Sequence, residues 1–430
     1  MVKNEKTFNC PIWKRYLGMK EDKRILIVSY KLGTEYGVGG RRWLYYGLEL
    51  LRQEYNIFFL TYQKSIPNEL SNDRDRVFHV EGNYPQILNT IPKGIIEKFK
   101  YKFWLWYLKR VNKGATFDEA KRTKKQFISS IEKIINDKKI THLIISGAPF
   151  SLMYFGTLIK NKFPNIKLIS DYRDAWTNGV GYGMPELTKE KFEEEVFFEN
   201  EVLKRSDTIL VASKDIEISV KQIVPEIKPI ILLNFVNNYQ FNGESIEKTK
   251  TVKDNNIYIT HIGSVNRGTA KYWQHHFHLV QQFNATHEMK IISKFIGDKN
   301  QDVKQFVISN NIEHVNFLSN QKSSELSNSL SNSDVLMMFK NDVLSHSFAT
   351  KFFDYIYFRK PMLCYGIGGT VTDEIEQNNL GVVFDHKTTQ QQFDDDIIQL
   401  FCRKKFNDKY NYEKFSLLNL TSVLIEDVLN

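Results

Sequence analysis

Short runs of β-branched and other apolar residues alternate with amphipathic helical runs along nearly the whole chain. That alternation is the mark of parallel α/β sheets, because each parallel strand needs a crossover and a helix usually supplies it. In the first half the spacing predicts strands at 24–29, 57–61, 142–146, 167–171, 208–212 and 230–233. Helices are predicted there at 40–53, 126–137, 151–162 and 189–204. In the second half the strands fall at 257–262, 290–296, 315–318, 334–339, 361–365 and 381–384. Its helices fall at 271–284, 301–310, 322–328, 349–358, 371–378 and 390–403. A polar stretch, 237–256, separates the two sets and reads as a linker. At 430 residues the chain is too long for one ordinary core. The pattern therefore predicts two Rossmann-like, doubly wound parallel-sheet domains, 1–240 and 241–408, followed by a helical segment, 409–430. Ligands of open α/β sheets bind at the carboxyl ends of the strands, so both halves are expected to face a cleft.

Several classes fall away on simple grounds. No run of about 18 uncharged apolar residues appears, so no membrane-spanning helix is expected. The first residues lack the apolar segment of a signal peptide. Cys10, Cys364 and Cys402 lie far apart without a CxxC spacing, which argues for a reducing compartment and against a zinc site. A cytoplasmic location is the expectation.

The junctions between strands and helices carry the candidate chemistry. The first strand leads into Gly33-Thr-Glu-Tyr-Gly37-Val-Gly39-Gly40-Arg41. A dinucleotide fingerprint would need glycine where Arg42 stands, and an acid after the second strand, where Thr61-Tyr62-Gln63 follows. The loop is read either as backbone that approaches a ligand closely at Gly39 and Gly40, or as a plain strand-helix turn. Two further strands end in Ser146-Gly-Ala-Pro-Phe-Ser151 and Asp171-Tyr-Arg173-Asp174-Ala-Trp176. Arg173 suits a phosphate or a developing negative charge, and Asp174 suits a sugar hydroxyl. A salt-bridged loop, with Asp171 or Asp174 capping a helix, is the other reading.

The second half opens with His261-Ile-Gly263-Ser-Val-Asn-Arg267-Gly-Thr-Ala-Lys271. Arg267 and Lys271 share one face if the helix has begun, as diphosphate ligands or as solvated charges. Later, His346-Ser-Phe348-Ala349-Thr350-Lys351 leads into a short helix with Asp354, stopped at Lys360-Pro361. A strand, a Gly368-Gly369 turn and a helix carrying Glu374 follow. A helix N-terminus suits a diphosphate, and a carboxylate suits ribose hydroxyls. The other reading of Asp354 is an ordinary exposed helix residue.

These motifs resemble the GT-B glycosyltransferases of the retaining, glycogen-synthase-like family (family 4 type), in the subgroup with a D-x-R-D-x-W string. The resemblance implies transfer of a sugar from a nucleotide-diphosphate sugar to an acceptor hydroxyl, with retention, in surface polysaccharide or glycolipid synthesis. It implies catalytic-side roles for Arg173, Asp174 and Asp171. It implies donor contacts at Gly39, Gly40, Gly263, Arg267, Lys271, His346, Phe348, Ala349, Thr350, Lys351 and Asp354. The amides of residues 348–351 would cap the diphosphate and Asp354 would meet the ribose. Relatives often carry Glu-x7-Glu where this chain has His346 and Asp354, so His346 would hydrogen-bond where an acid is usual. The final helix would return to the first domain. No bound cofactor and no metal are implied; the donor is a substrate. A nucleotide-sugar 2-epimerase of the same fold, and a catalytically weakened binding or scaffold protein, are the alternatives.

The net charge of +9 is unevenly spread. Between Lys93 and Lys125 eleven basic residues face three acids, a net of +8. The same segment holds Lys-Phe-Lys-Tyr-Lys-Phe-Trp-Leu-Trp-Tyr-Leu-Lys-Arg. Such interleaving suits an anionic membrane surface met by 98–113, and a core helix with a basic outer face is the second reading. Nucleic acid also takes stacking rings and cations, but no companion motif is present, so none is expected as a partner. With a lipid-linked glycan as acceptor, the protein would sit peripherally on the inner face of the plasma membrane.

Overall fold

The computed structural model describes residues 23–429 except 34–37, 63–64, 82–86, 88–91, 93, 112–117, 180–183, 237–255, 266, 298–299, 322, 343–346 and 404–405. The linker stretch and His346 therefore lie outside the described residues. The chain divides into two compact units. The first runs to Leu232 and takes in Thr421–Asn430; the second is Leu233–Leu420. The expected boundaries stand at 240/241 and 408/409.

In chain order the first unit contains β1 (Arg24–Val28), α1 (Val38–Arg52), β2 (Asn56–Thr61), β3 (Val77–His79), α2 (Ile95–Val111) and α3 (Lys124–Lys138). β4 (His142–Gly147), α4 (Ser151–Lys162), β5 (Lys167–Tyr172), α5 (Lys189–Arg205), β6 (Thr208–Val211), α6 (Lys214–Ile223) and β7 (Ile230–Ile231) complete it. The strands form one parallel sheet in the order β3-β2-β1-β4-β5-β6-β7. Helices cover such a sheet on both faces, so its strands read as continuous apolar runs, as in Ile25–Val28 and Leu143–Ile145, all buried. Leu26, Ile145 and Leu168 share one core with Phe127, Phe155 and Val202.

The second unit contains β8 (Ile257–Ile262), α7 (Ala270–Thr286), β9 (Ile291–Ile296), α8 (Gln301–Ser309), β10 (Val315–Leu318), α9 (Ser323–Ser331) and β11 (Val335–Phe339). It continues with α10 (Thr350–Phe358), β12 (Met362–Tyr365), α11 (Thr370–Gln377), β13 (Gly381–Phe384) and α12 (Gln390–Phe401). Its parallel sheet runs β10-β9-β8-β11-β12-β13. The two faces are packed separately. Ile259, Phe295 and Met337 meet Phe277 and Phe393 on one side. Leu336, Met338 and Cys364 meet Phe352, Tyr355 and Ile375 on the other.

Both expected parallel sheets are present. Three elements go beyond the predicted strands and helices: β3, an edge strand of three residues, α2, and α6, capped by the Ser213 hydroxyl, which accepts from the Ile216 amide. The C-terminal segment is a 3-10 turn (Glu413–Phe415), then α13 (Leu417–Leu424), then a π-helical turn (Ile425–Leu429). Strand order reverses between β1 and β4 in the first unit and between β8 and β11 in the second. Such a reversal, where successive loops leave toward opposite faces, is where open α/β sheets take ligands at their strand ends.

Candidate functional site

Beside β4, one strand from the first reversal, β5 carries Asp171, and Arg173 and Asp174 follow directly after it. Alternation along the strand points Asp171 inward, and it is fully buried. Its carboxylate accepts from Arg42 Nη2 at 3.1 Å, Trp43 Nε1 at 2.7 Å and Ser146 Oγ at 2.7 Å. Arg42 is itself buried and also donates to the Leu232 carbonyl at 2.6 Å. Asp171 therefore pins the first turns of α1 to the sheet. Asp171, expected on the catalytic side, presents no face of its carboxylate to solvent in this structure.

Arg173 and Asp174 come after the strand and turn outward. Arg173 Nη1 donates to the Gly39 carbonyl at 2.7 Å, and Nη2 stands 3.9 Å from Asp174 Oδ2. A Cβ at position 39 would lie 2.7 Å from Arg173 Nη1, so the glycine is needed for the guanidinium to seat there. Gly40 closes the preceding loop by accepting from the Gly33 amide at 2.9 Å. The structure thus joins Gly39, Arg173 and Asp174 in one half-exposed cluster. Trp176 anchors the same loop. It is buried, stacks on Phe150 with ring centroids 5.1 Å apart, and donates Nε1 to Glu195 Oε2 at 3.0 Å. Glu195 also pairs with Lys121, and Glu199 accepts from the Thr177 amide at 3.0 Å and from its hydroxyl. Burial raises the Glu199 carboxyl to about 7. These two buried acids on α5 set the loop that carries Arg173.

At the second reversal, β8 ends in His261, buried between Phe295 and Phe339. His261 Nδ1 lies 3.0 Å from the Met337 carbonyl, which can only accept, so Nδ1 carries the proton. Nε2 is then an acceptor, and it meets Lys351 Nζ at 3.2 Å. Burial, aided by the Lys351 charge, pushes His261 well below its ordinary range, in keeping with a neutral ring. Lys351 sits half-buried in the first turn of α10. Burial lowers its ammonium to about 8, against the opposing pull of the Asp354 carboxylate. Asp354, expected to receive ribose hydroxyls or to stand exposed, is buried one turn below Lys351 and acts as its counter-charge. Tyr355 links the same strands: its hydroxyl donates to the Met337 carbonyl at 2.8 Å and accepts from the Ile262 amide at 3.2 Å.

The Gly263 loop is held open. Gly263 has φ +80, with nothing near its missing Cβ, while Asn300 Nδ2 donates to the Gly263 carbonyl at 3.2 Å. Asn300 Oδ1 accepts from the Val265 amide at 2.9 Å. Arg267 lies in a 3-10 turn, Arg267–Thr269, ahead of α7, so it does not share an α-helical face with Lys271. Lys271 pairs with Asp342 Oδ2 at 2.7 Å, and Asp342 also accepts from the Tyr272 hydroxyl at 2.7 Å. Lys271 is thus committed to Asp342 in this structure. Ala349 caps α10 in an extended conformation (φ −63) with no side-chain hydrogen bond, Thr350 begins the helix, and the Phe348 ring packs against Phe352 at 4.9 Å. Glu374 holds Tyr410, Lys414 and Asn378, a structural tether for the 410–414 segment.

Sequence reasoning missed His261 as the partner of Lys351, Asp342 as the partner of Lys271, and Asn300 as the clasp of the glycine loop. It also missed a polar cavity of about 470 Å³ at the ends of β12 and β13, lined by Gly366, Gly368, Thr372, Glu376, Asp385 and Lys387 among others. Lys340 borders it, with Nζ 3.3 Å from the Ile367 carbonyl. Among the described residues no cluster of His, Cys, Asp and Glu is arranged to hold a metal ion.

No family model matches the chain, and no curated protein matches it in sequence. Solved structures do match in fold. Sucrose-phosphate synthase from Thermosynechococcus elongatus is similar over 94% of this chain and 97% of its own, with TM-score 0.66 and 12% identity. The Anabaena protein HepE, solved with UDP and glucose, covers 95% and 99%, with TM-score 0.58 and 11% identity. A putative UDP-N-acetylglucosamine 2-epimerase from Listeria monocytogenes covers 94% and 95%, with TM-score 0.54 and 9% identity. At these identities the likeness establishes the fold, which is GT-B: two domains, each a parallel sheet flanked by helices.

Proposed function

We propose that this GT-B chain is a glycosyltransferase that moves a sugar from a nucleotide-diphosphate sugar to an acceptor hydroxyl. The second unit takes the donor and the first takes the acceptor. The observation that carries the reading is Lys351, in the first turn of a helix whose cap makes no side-chain hydrogen bond, with Nζ 3.2 Å from the neutral His261 at the end of β8, two residues before Gly263. A leaving diphosphate brings negative charge, and this is where helix amides, Lys351 and the Gly263 backbone would together receive it. Arg267 adds charge from the same loop, and Lys271 joins if the diphosphate draws it from Asp342. Asp354 supports Lys351 in this reading rather than meeting the ribose; the carboxylates of Glu376 and Asp385 are the better candidates for hydroxyls.

On the acceptor side, Arg173 stabilises developing charge and Asp174 orients a hydroxyl. Their seating against Gly39 and the Trp176 anchor supports these roles. The chemistry is read as retaining, with the departing phosphate oxygen taking the acceptor's proton, so no strong side-chain base is needed. No resident metal or cofactor is invoked. The acceptor is read as a lipid-linked glycan in surface polysaccharide or glycolipid synthesis, at the inner face of the membrane; the basic-aromatic helix α2 supports that choice. The fold likeness to an epimerase keeps sugar isomerisation as a second reading.

Thermal unfolding with a panel of nucleoside diphosphates tests donor binding. A ligand at 100 times its Kd adds about 2.7 kcal/mol, and Lys351→Ala should abolish the shift. Absence of a shift with every nucleoside diphosphate would sink the donor assignment.

A further inference from the structure

The helix α2 turns five of its large apolar side chains outward. Ile95 is 88% exposed and Phe99 72%, and Ile96, Phe103 and Trp106 are exposed beside them. At about 100° per residue these five fall within an arc of about 100°. Tyr101, Trp104, Leu105 and Tyr107 are half-buried on the remaining arc, with the Arg122 guanidinium 5.7 Å from the Tyr107 ring centroid. Lys98 and Lys102 line one edge of the exposed arc, Lys100 lies on the other, and Arg110 stands over the Trp106 ring at 5.6 Å. All three lysines and Arg110 are exposed, and Glu97 is the one acid in the helix. From Ile95 to Trp106 the arc runs about 17 Å. No helix among the described residues is long and apolar enough to cross a membrane.

We propose that α2 docks this protein onto an anionic lipid bilayer. The helix lies in the plane of the surface, with Ile95, Phe99, Phe103 and Trp106 at the headgroup-acyl boundary and Lys98, Lys100, Lys102 and Arg110 among anionic headgroups. Charge and shape together select this occupant. A nucleic acid offers nothing to the exposed aliphatic chains of Ile95 and Ile96. A second copy of the same helix would set one basic edge against another. An anionic bilayer satisfies the apolar arc and the basic edges at once. This inference deepens the membrane-face placement proposed above but does not depend on glycosyl transfer, and if both hold, the acceptor shares the surface on which α2 lies.

Co-sedimentation of the full chain with vesicles tests it, using phosphatidylcholine alone and phosphatidylcholine mixed with phosphatidylserine. The wild type should partition onto the anionic vesicles, and added salt should weaken it. Lys98→Glu/Lys100→Glu/Lys102→Glu should lose at least tenfold, since each basic residue removed near the surface is worth about fivefold. Phe99→Ser/Phe103→Ser/Trp106→Ser should lose binding comparably, and both variants should keep the wild-type Tm shift with nucleoside diphosphate. A wild type that stays in the supernatant overturns the proposal, as does unchanged partitioning of either variant. Lipid-free dimerisation abolished by the aromatic substitutions would overturn it in favour of a second copy as the occupant.

Discussion

Replacing Asp171 by alanine separates a scaffold acid from a catalytic one. The substitution leaves the Arg42 guanidinium, whose side chain is 1% exposed, without its counter-charge. Removing one partner of a buried pair costs about 3–5 kcal/mol. The Trp43 and Ser146 donors also lose their acceptor, but neighbours do not add independently. The Leu232 carbonyl still receives Arg42, so we take about 4 kcal/mol. For a unit of roughly this size each kcal/mol shifts Tm by about 2–4 °C, which gives about 8–16 °C. Calorimetry is the assay, because a chain of two units need not unfold in one step. The transition of the first unit should fall and that of the second should stay. Arg42→Met with Asp171→Leu should recover most of the loss, because it removes both charges. Lost turnover with a Tm within about 2 °C of wild type would refute the scaffold argument and return Asp171 to the chemistry.

Three further outcomes follow from the same geometry. With the Lys351 ammonium at about 8, and an anionic ligand raising it, nucleoside diphosphate should bind best below pH 8. Affinity should then weaken by up to about tenfold per unit above it; titration calorimetry at pH 7 and 9 reads this, and Lys351→Arg should flatten it. Gly39→Ala would normally favour a helix by up to about 1 kcal/mol. Here the new methyl displaces Arg173, so acceptor-dependent turnover should fall at least tenfold with Tm nearly unchanged, and unaltered turnover would count against Arg173. Glu199, raised to about 7, contributes stability that is fully present below its unfolded value of 4.5 and is lost as pH rises through 7. Glu199→Gln should therefore gain Tm relative to wild type between pH 5 and pH 8, and a constant difference would contradict the buried-acid account.

The strands were legible because a parallel strand buried on both faces must be apolar throughout, as in Ile25–Val28. β3 was not, since three residues carry no period. The motif residues were legible as chemical types but not as partners. Lys271 reads as a free cation until Asp342, 71 positions away, is folded against it. Asp171 reads as a loop acid until α1 brings Arg42 and Trp43 over it. Glu195 and Glu199 sit in an acid-rich helix that reads as solvated. They are buried because Lys121, Trp176 and Thr177 arrive from elsewhere in the chain to use them. The exposed arc of α2 was hidden for the opposite reason, because apolar residues surround the helix and no periodicity marks which of them face outward.

Glycosyl transfer is tested most directly by release of nucleoside diphosphate from a panel of nucleotide sugars, with and without lipid-linked and free glycan acceptors. Release that requires an acceptor, and that is lost in Lys351→Ala, is the expected result. Conversion of the sugar with no acceptor present, or binding of every donor without turnover, would contradict it.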